Sequence, residues 1–218
     1  MSLLSIRDLD IALPEGADRA YAAKDISFDL AAGEILCIVG ESGSGKSMSA
    51  NAVMGLLPQE VKPVRGAITF DGQNILALSE AQMLELRGRR ISMIFQEPLS
   101  ALNPLMRVGA QIAEVFEAHG QLRPQQRHSR ALTLLEEVGI PDPESAIRAY
   151  PFQLSGGQRQ RVMIAMALAL EPDILIADEP TTALDVTTQA QILDLIEDLR
   201  RSRGMAVIFI THDFGVVA

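Results

Sequence analysis

The sequence contains no tryptophan and a single cysteine, and only 4% of its 218 residues are aromatic. One thiol cannot form an internal disulfide, so Cys37 points to a reducing compartment. The apolar run 35–39 around it predicts a buried strand position for this thiol. No apolar run approaches the roughly eighteen residues that span a bilayer, and the N-terminus has no signal-peptide core. If the chain acts at a membrane, another chain must supply the membrane-spanning segments.

Basic residues are also scarce: 19 Lys and Arg stand against 28 Asp and Glu, which gives a formal net charge of -9. Phosphate-backbone binding depends on clustered Lys and Arg, so we expect no nucleic-acid partner. The hydrophobic content of 48% is that of an ordinary globular protein. The length allows one domain, or one domain that carries an inserted subdomain.

Two kinds of strand are predicted, and they differ in how apolar and polar residues are distributed along them. Strands that alternate between apolar and polar residues, typical of antiparallel sheets, are predicted at 4–13, 26–30 and 67–70. Strands that are apolar almost throughout, as expected when both faces are covered, are predicted at 35–39, 91–95, 173–177 and 206–210. Helices at 46–57 and about 187–201 alternate with the apolar strands, which favours a parallel sheet with crossovers.

The segment between Glu97 and Ala169 is different, because its pattern is almost purely helical. Helices are predicted at 108–118, 124–138 and 157–170, with loops rich in Pro and Gly between them. We interpret this segment as a helical subdomain inserted into an α/β core.

Residues 40–47, GESGSGKS, fit the phosphate-loop pattern G-x-x-x-x-G-K-[ST] between a predicted strand and a predicted helix. Backbone N–H groups of such a loop point at phosphates, Lys46 adds charge to the β and γ groups, and the Ser47 hydroxyl can ligate Mg²⁺. The plain alternative is a glycine-rich turn with a surface lysine. Agreement at eight positions and in both flanking elements favours the phosphate loop. Its predicted nucleotide-binding residues are Gly40, Glu41, Ser42, Gly43, Ser44, Gly45, Lys46 and Ser47.

Asp178 and Glu179 follow the apolar strand 173–177. Ligands gather beyond the carboxyl ends of parallel strands, so both carboxylates are expected to face the phosphate loop. There Asp178 would hold Mg²⁺ through water and Glu179 would polarise the attacking water. Alone, the pair is better explained as helix-capping charge, but the phosphate loop reverses that preference. No guanine-specific N-K-x-D sequence occurs, so adenine is the expected base.

A second phosphate-compatible helix start lies at Leu154–Gln158, sequence LSGGQ, which we call the signature segment. Ser155 and two glycines open a predicted helix here, and free N–H groups at such a start suit an anion. One nucleotide has only one polyphosphate, so the residues alone do not explain why two such places exist.

With the phosphate loop, the signature segment and the acidic pair in this order, the sequence resembles the ATP-binding cassette family of transport ATPases over essentially its whole length. Gln96 matches the Q-loop of that family, Asp185 at the end of 182–185 matches the D-loop, and His212 matches the switch histidine. Each alone also fits a plain role, as a strand-end polar residue, a helix cap and a loop histidine. Their order supports the family.

The resemblance implies a single nucleotide-binding domain over 1–218, with an α/β fold. Its P-loop NTPase core would hold a mainly parallel sheet and an N-terminal antiparallel β subdomain, together at 1–96 and 171–218. The inserted helical subdomain would occupy 97–170.

The resemblance also implies a shared site for ATP and Mg²⁺. Two such domains, alike or different, pair head to tail, so each signature segment contacts the nucleotide on the other chain's phosphate loop. Glu179 would be the general base, His212 would contact the γ-phosphate, and Gln96 would lie near the metal. The residues expected to meet the partner's nucleotide are Ser155, Gly156, Gly157, Gln158 and Asp185.

Further partners follow from the same resemblance. They are transmembrane permease subunits and, indirectly, an extracytoplasmic solute-binding protein, with this chain peripheral at the cytoplasmic face of the inner membrane. The stretches 96–104, 150–153 and 211–217 resemble the branch of importer ATPases that serves oligopeptides, dipeptides and nickel.

Two features depart from the family pattern. The aromatic ring that usually stacks on adenine is expected near Leu13, which has none, and the nearby Tyr21 fits the following strand. The family also continues beyond the switch histidine, so a chain that ends at Ala218 resembles a truncated nucleotide-binding domain.

Two alternatives stay open. One is a soluble cassette ATPase without a transport role, which nucleic-acid stimulation of its activity would favour. The other is a truncated module that binds Mg-ATP without turnover. A P-loop kinase is excluded because it has no use for the signature segment.

Overall fold

The computed structural model describes residues 2–96, 101–182, 184–213 and 215. They form two compact units. The first contains the described residues up to Met93, Asp173–Glu179 and those from Gly204 onward, and the second contains Ile94–Pro172 and Pro180–Arg203. The second unit therefore takes in a segment that the sequence-based division placed with the core, and the domain boundaries stay a prediction.

The first unit holds an antiparallel sheet, as the alternating patterns predicted. Its strands are β1 (Ser2–Ala12), β2 (Tyr21–Ala31), β4 (Lys62–Phe70) and β5 (Gln73–Asn74), in the spatial order β2-β1-β4-β5. A register shift after Ile6 moves the buried apolar positions of β1 from even to odd numbers, so that Leu9 is buried and Asp8 turns to φ 47°. This bulge lets one long strand keep an apolar face throughout.

A second sheet contains β3 (Ile35–Val39), β6 (Ile91–Ile94), β7 (Ile174–Asp178) and β8 (Ala206–Thr211), in the order β3-β8-β7-β6. β8 pairs in parallel with β3 and with β7. Every residue of β6, β7 and β8 is buried, as predicted for strands covered on both faces. The predicted strand 91–95 is one residue too long, because β6 ends at Ile94 and the Phe95 side chain is exposed.

The prediction of a buried β3 and a buried Cys37 was wrong. Ile35 and Cys37 are exposed, and the other residues of β3 are only partly buried. The physical reason is position: among the described residues β3 stands at the end of its sheet and pairs only with β8. An apolar run thus forms here without full burial.

The first unit also has α1 (Lys46–Met54) and α2 (Glu80–Leu86). α2 was not predicted, although a signal exists. The Ser79 side chain accepts a hydrogen bond from the Gln82 N–H, and the Gln82 side chain accepts one from the Ser79 N–H. This capping box satisfies free donors at the start of a short helix.

The second unit contains α3 (Val108–Ala118), α4 (Pro124–Glu137), α5 (Pro143–Ala146), α6 (Gly156–Ala167) and α7 (Val186–Arg203). The helical character predicted for the segment between Glu97 and Ala169 is confirmed by α3 to α6 in its described residues. Its core includes Ile112, Leu134, Val162, Ile164 and Ile192, all fully buried. In the described part of the chain, none of the helices has the length and apolar character that crossing a membrane requires.

Candidate functional site

Sheet register brings three strand ends to one edge of the first unit. Val39 at the end of β3 lies opposite Thr211 of β8, and Asp178 at the end of β7 lies opposite Ile210 of the same strand. The segments that follow are the phosphate loop, Glu179 and His212. The carboxyl edge of a parallel sheet is where such folds place their ligands.

The phosphate loop meets α1 at Gly45, which has φ 93°. A Cβ at this position would lie 2.4 Å from the Ala22 carbonyl oxygen, so only glycine fits the close approach of β2. The Gly45 carbonyl accepts the Ser49 N–H at 2.9 Å and begins the helix. The end of the loop is therefore held between the backbone of β2 and the first turn of α1.

Lys46 is the first residue of α1 and is only 8% exposed. Its Nζ donates to the Gly40 carbonyl oxygen at 2.7 Å and to the Glu41 carbonyl oxygen at 2.8 Å. The loop thus curls around its own ammonium group, which compensates for the burial of the charge.

Ser47 and Asp178 lie in contact, with the Ser47 Oγ donating to Asp178 Oδ1 at 3.1 Å. Burial raises the pKa of Asp178, and the nearby Glu179 raises it further, while the Ser47 hydrogen bond and the Lys46 charge lower it. A hydroxyl and a carboxylate are oxygen donors of the kind that Mg²⁺ takes together with substrate phosphates, so the pair fits that ion. Within the described ranges, no group of three or more His, Cys, Asp or Glu side chains could hold a metal alone.

Glu179 and His212 form the next pair along this edge, with 3.1 Å between Glu179 Oε2 and His212 Nδ1. The Glu179 side chain is 12% exposed, whereas that of His212 is 55% exposed. Glu179 has φ 47°, and its N–H donates to the Ile210 carbonyl oxygen at 2.9 Å. A non-glycine residue in this left-handed region is strained, and β8 supplies the bond that holds it there.

The signature segment starts α6 in the second unit. The Ser155 Oγ accepts the Gln158 N–H at 3.2 Å, and the Gln158 Oε1 accepts the Ser155 N–H at 2.9 Å. This capping box fixes the first turn of the helix and leaves Ser155 and Gly156 exposed.

Asp185 holds the start of α7 in the same way. Its Oδ1 accepts the Thr188 N–H at 3.0 Å, and its Oδ2 accepts the Thr188 hydroxyl at 2.7 Å. These two bonds lower the pKa of Asp185, because they favour the ionised carboxylate.

One cleft of about 580 Å³ brings the predicted residues of the second unit together. Ser155, Gly156, Gly157, Gln158 and Asp185 all line it. Sequence reasoning missed Thr188, which lines it as well. The sequence did contain a signal for it: Thr188 lies three residues after Asp185, which starts a helix, and a hydroxyl at that position can donate to the capping carboxylate.

The remaining predicted residues are placed as follows. Gln96 follows β6 and belongs to the second unit, so its predicted place near the metal stays a prediction. Tyr21 is the first residue of β2, and Lys24 Nζ lies 5.3 Å from its ring centroid. The motif positions 97–100, Ala183, Phe214 and 216–218 lie outside the described residues.

A phosphate loop and an acidic pair at the carboxyl ends of β3 and β7, the two strands that flank β8 in a parallel sheet, define a P-loop nucleotide-binding protein. Residues 23–182 match the family described as "ABC transporter". The chain belongs to this ABC transporter family, as its motifs predicted.

Curated relatives match almost the whole chain. It is 53% identical to the peptidoglycan transport ATP-binding protein YejF of Agrobacterium fabrum over 216 residues, and 51% identical to the oligopeptide transport ATP-binding protein OppD of Bacillus subtilis over 217 residues. Each match covers 99% of this chain, but 40% of the first relative and 61% of the second. The chain thus spans less than two thirds of the length of these relatives.

Solved structures agree on the fold, which confirms the predicted fold class. The dimeric post-hydrolysis structure of the ATP-binding cassette MJ0796 with ADP and Pi has a TM-score of 0.84 and 31% identity. A second dimeric structure of MJ0796 has a TM-score of 0.85 and 32% identity. Both cover 98% of this chain and 89% of the neighbour.

Proposed function

We propose that the chain is the ATP-binding and ATP-hydrolysing part of a peptide-type importer. The observation that carries the proposal is the single sheet edge where Lys46, the Ser47–Asp178 contact and the Glu179–His212 contact meet. This combination offers charge for phosphates, oxygens for a metal and a carboxylate beside them. The names of the relatives favour peptides over nickel as the transported class.

Each of these groups has a role in the proposed reaction. Lys46 exchanges its bonds to the Gly40 and Glu41 carbonyls for bonds to the β- and γ-phosphates of ATP. Glu179 accepts a proton from the attacking water while the water oxygen bonds to the γ-phosphorus and the bond to the ADP oxygen breaks. His212, held by Glu179, contacts the γ-phosphate. Ser47 and Asp178 would hold Mg²⁺, which would supply positive charge against the phosphate oxygens.

The second helix start explains why one chain has two anion-compatible places. In the proposed dimer, Ser155 and the glycines of one chain, with Asp185 beside them, complete the nucleotide site on the other chain's phosphate loop. The MJ0796 structures are dimeric, which supports the pairing of two such chains. Loss of the γ-phosphate would remove contacts that exist only in the dimer, and the two chains would part.

The partners in transport belong to the same proposal. Permease subunits would provide the membrane path, with Gln96 and the helical unit passing the motion to them and this chain peripheral at the cytoplasmic face. An extracytoplasmic solute-binding protein would deliver the solute to the permease.

The decisive experiment uses Glu179→Gln, which keeps the shape of the side chain and removes the base. Size-exclusion chromatography with Mg-ATP should show a stable dimer of this variant, whereas ADP should leave it monomeric. The double variant Glu179→Gln/Lys46→Ala is the control and should stay monomeric with Mg-ATP. A monomeric Glu179→Gln chain that still binds Mg-ATP would contradict the shared site, and wild-type binding without turnover would contradict the hydrolytic role.

A further inference from the structure

Thr188 stands between the two loops that line the 580 Å³ cleft. Its hydroxyl donates to Asp185 Oδ2 at 2.7 Å, and its N–H donates to Asp185 Oδ1 at 3.0 Å. On its other side, a Cβ built on Gly157 would lie only 2.8 Å from the Thr188 methyl carbon Cγ2. One side chain therefore holds the carboxylate of Asp185 and packs against the backbone of the signature segment.

The same two helices meet again one turn further along. Arg161 of α6 places one guanidinium nitrogen 3.5 Å from the Gln191 Oε1 of α7. Its other terminal nitrogen donates to the Val138 carbonyl oxygen at the end of α4. Gly157 and Arg161 are four residues apart, and Thr188 and Gln191 are three apart, so each pair lies on one helix face. The starts of α6 and α7 are thus in contact over two successive turns.

The branched side chain of threonine links the two contacts, because its hydroxyl and its methyl group cannot move independently. A β-branched side chain has few allowed χ1 rotamers in a helix, and rotation that moves the hydroxyl also moves the methyl group. While the hydroxyl stays on Asp185, the methyl group stays against Gly157. Asp185 cannot then shift relative to the signature glycines without loss of a hydrogen bond or of close packing.

We propose that Thr188 is a positioning residue that holds Asp185 and the signature segment as one unit, so that both reach the partner chain's nucleotide together. This inference rests on the proposed function, because it concerns the surface that completes the shared site. Thr188 itself need not touch the nucleotide. It acts through the two loops that it joins.

Two substitutions remove the two halves of Thr188 separately. Thr188→Ser keeps the hydroxyl on Asp185 and removes the methyl group, whereas Thr188→Val keeps a methyl group against Gly157 and removes the hydroxyl. In the Glu179→Gln background with Mg-ATP, each should raise the protein concentration at half-dimerisation about tenfold. The affinity of the monomer for Mg-ATP should stay within about twofold, since the phosphate loop is untouched. Thr187→Ser and Thr187→Val, at the exposed neighbouring position, are the matched controls and should have no effect.

The outcome separates a positioning role from simple helix capping. A residue that only caps α7 would tolerate Thr188→Ser, so an unchanged dimerisation concentration for that variant overturns the proposal. If the parent Glu179→Gln chain does not dimerise, the proposed function fails and this inference fails with it. If the parent dimerises and Thr188→Ser does so equally well, only the positioning role fails.

A measurement on the nucleotide-free monomer tests the same contact without activity. Amide hydrogen exchange of Thr188→Ser should become faster in the first turn of α6, on a helix that the substitution does not alter. Restored protection in Gly157→Ala/Thr188→Ser, where one methyl group replaces another, would support the contact. Unchanged exchange in α6 for Thr188→Ser would overturn it.

Discussion

Asp178 is the residue for which stability and function are most clearly opposed. It is 5% exposed, and burial together with Glu179 raises its pKa above the ordinary value of 3.8. The ionised carboxylate therefore destabilises the free chain above that pKa. Its oxygen is nevertheless the one that contacts Ser47, at the place where we propose that the metal binds.

We expect Asp178→Asn to stabilise the nucleotide-free chain by about 0.5–1 kcal/mol at pH 7, while it weakens Mg-dependent ATP binding at least tenfold. The folded-state pKa is raised, so the stability that Asp178 contributes is present below 3.8 and is lost as pH rises through the folded pKa. The gain from asparagine should consequently be absent near pH 3 and should grow as the pH rises through the folded-state pKa. Urea unfolding at several pH values measures it.

Asp173→Asn is a control for this experiment, because Asp173 is a more exposed carboxylate that forms an ion pair with Arg90. It should not stabilise the chain at neutral pH. A neutral-pH gain of equal size in both variants, or no gain in Asp178→Asn, would contradict the cost that we assign to the buried carboxylate.

Individual residues of the site could be predicted only where a motif fixes the chemistry. The Ser47–Asp178 contact beside Lys46 follows from the loop and strand ends that determine their neighbours, while the roles of these residues stay a prediction. Thr188 had a capping signal, three residues after Asp185, but threonine is common in helix starts and this signal alone did not single it out. Only its contact with Gly157, distant in sequence, gives it a second neighbour to hold.

The start of α6 shows how two adjacent glycines differ within one helix. A Cβ at Gly156 would lie 3.6 Å from Leu184 Cδ2, which is an ordinary van der Waals contact. A Cβ at Gly157 would lie 2.8 Å from Thr188 Cγ2, which forces a shift. Only the second glycine is required by the packing of α6 against α7.

We expect Gly157→Ala to lower the free energy of unfolding by about 1–3 kcal/mol, because the new methyl group overpacks the contact with α7. Gly156→Ala should change it by less than about 0.5 kcal/mol, or raise it slightly through better helix propensity. Urea unfolding of the two variants measures the difference. Thr188→Ser should recover part of the loss in Gly157→Ala, and equal costs for both glycines would contradict this account.

Helices and strands could be predicted where the spacing of apolar residues matches the pattern of burial. β6, β7 and β8 are mainly apolar and buried, and α3 has the bounds that its pattern predicted. β3 has the same apolar composition but stands at the end of its sheet among the described residues, and composition does not encode that position. The bulge near Asp8 escaped prediction because it depends on pairing with β2 and β4.

At the scale of the whole molecule, nucleotide binding should be visible as stability. Mg-ATP at about 100 times its Kd should add about 2.7 kcal/mol, which corresponds to a rise in Tm of roughly 5–10 °C for a chain of this size. Calorimetry measures the rise, and Lys46→Ala should abolish it. For Glu179→Gln with Mg-ATP, the Tm should also rise with protein concentration, because dimer formation stabilises the folded chain in a concentration-dependent way.

A Tm that does not respond to Mg-ATP in the wild type would contradict nucleotide binding itself. A response that is independent of protein concentration in Glu179→Gln would contradict only the dimer.

The bonds of Lys46 to its own loop have a consequence for product release in the proposed ATP hydrolysis. An ammonium group already satisfied by two backbone oxygens gains little from a lone orthophosphate, which must displace them for few new contacts. A nucleotide with a longer phosphate chain replaces both bonds at once. We therefore expect weak inhibition by inorganic phosphate, because the released phosphate would compete poorly with ATP for Lys46.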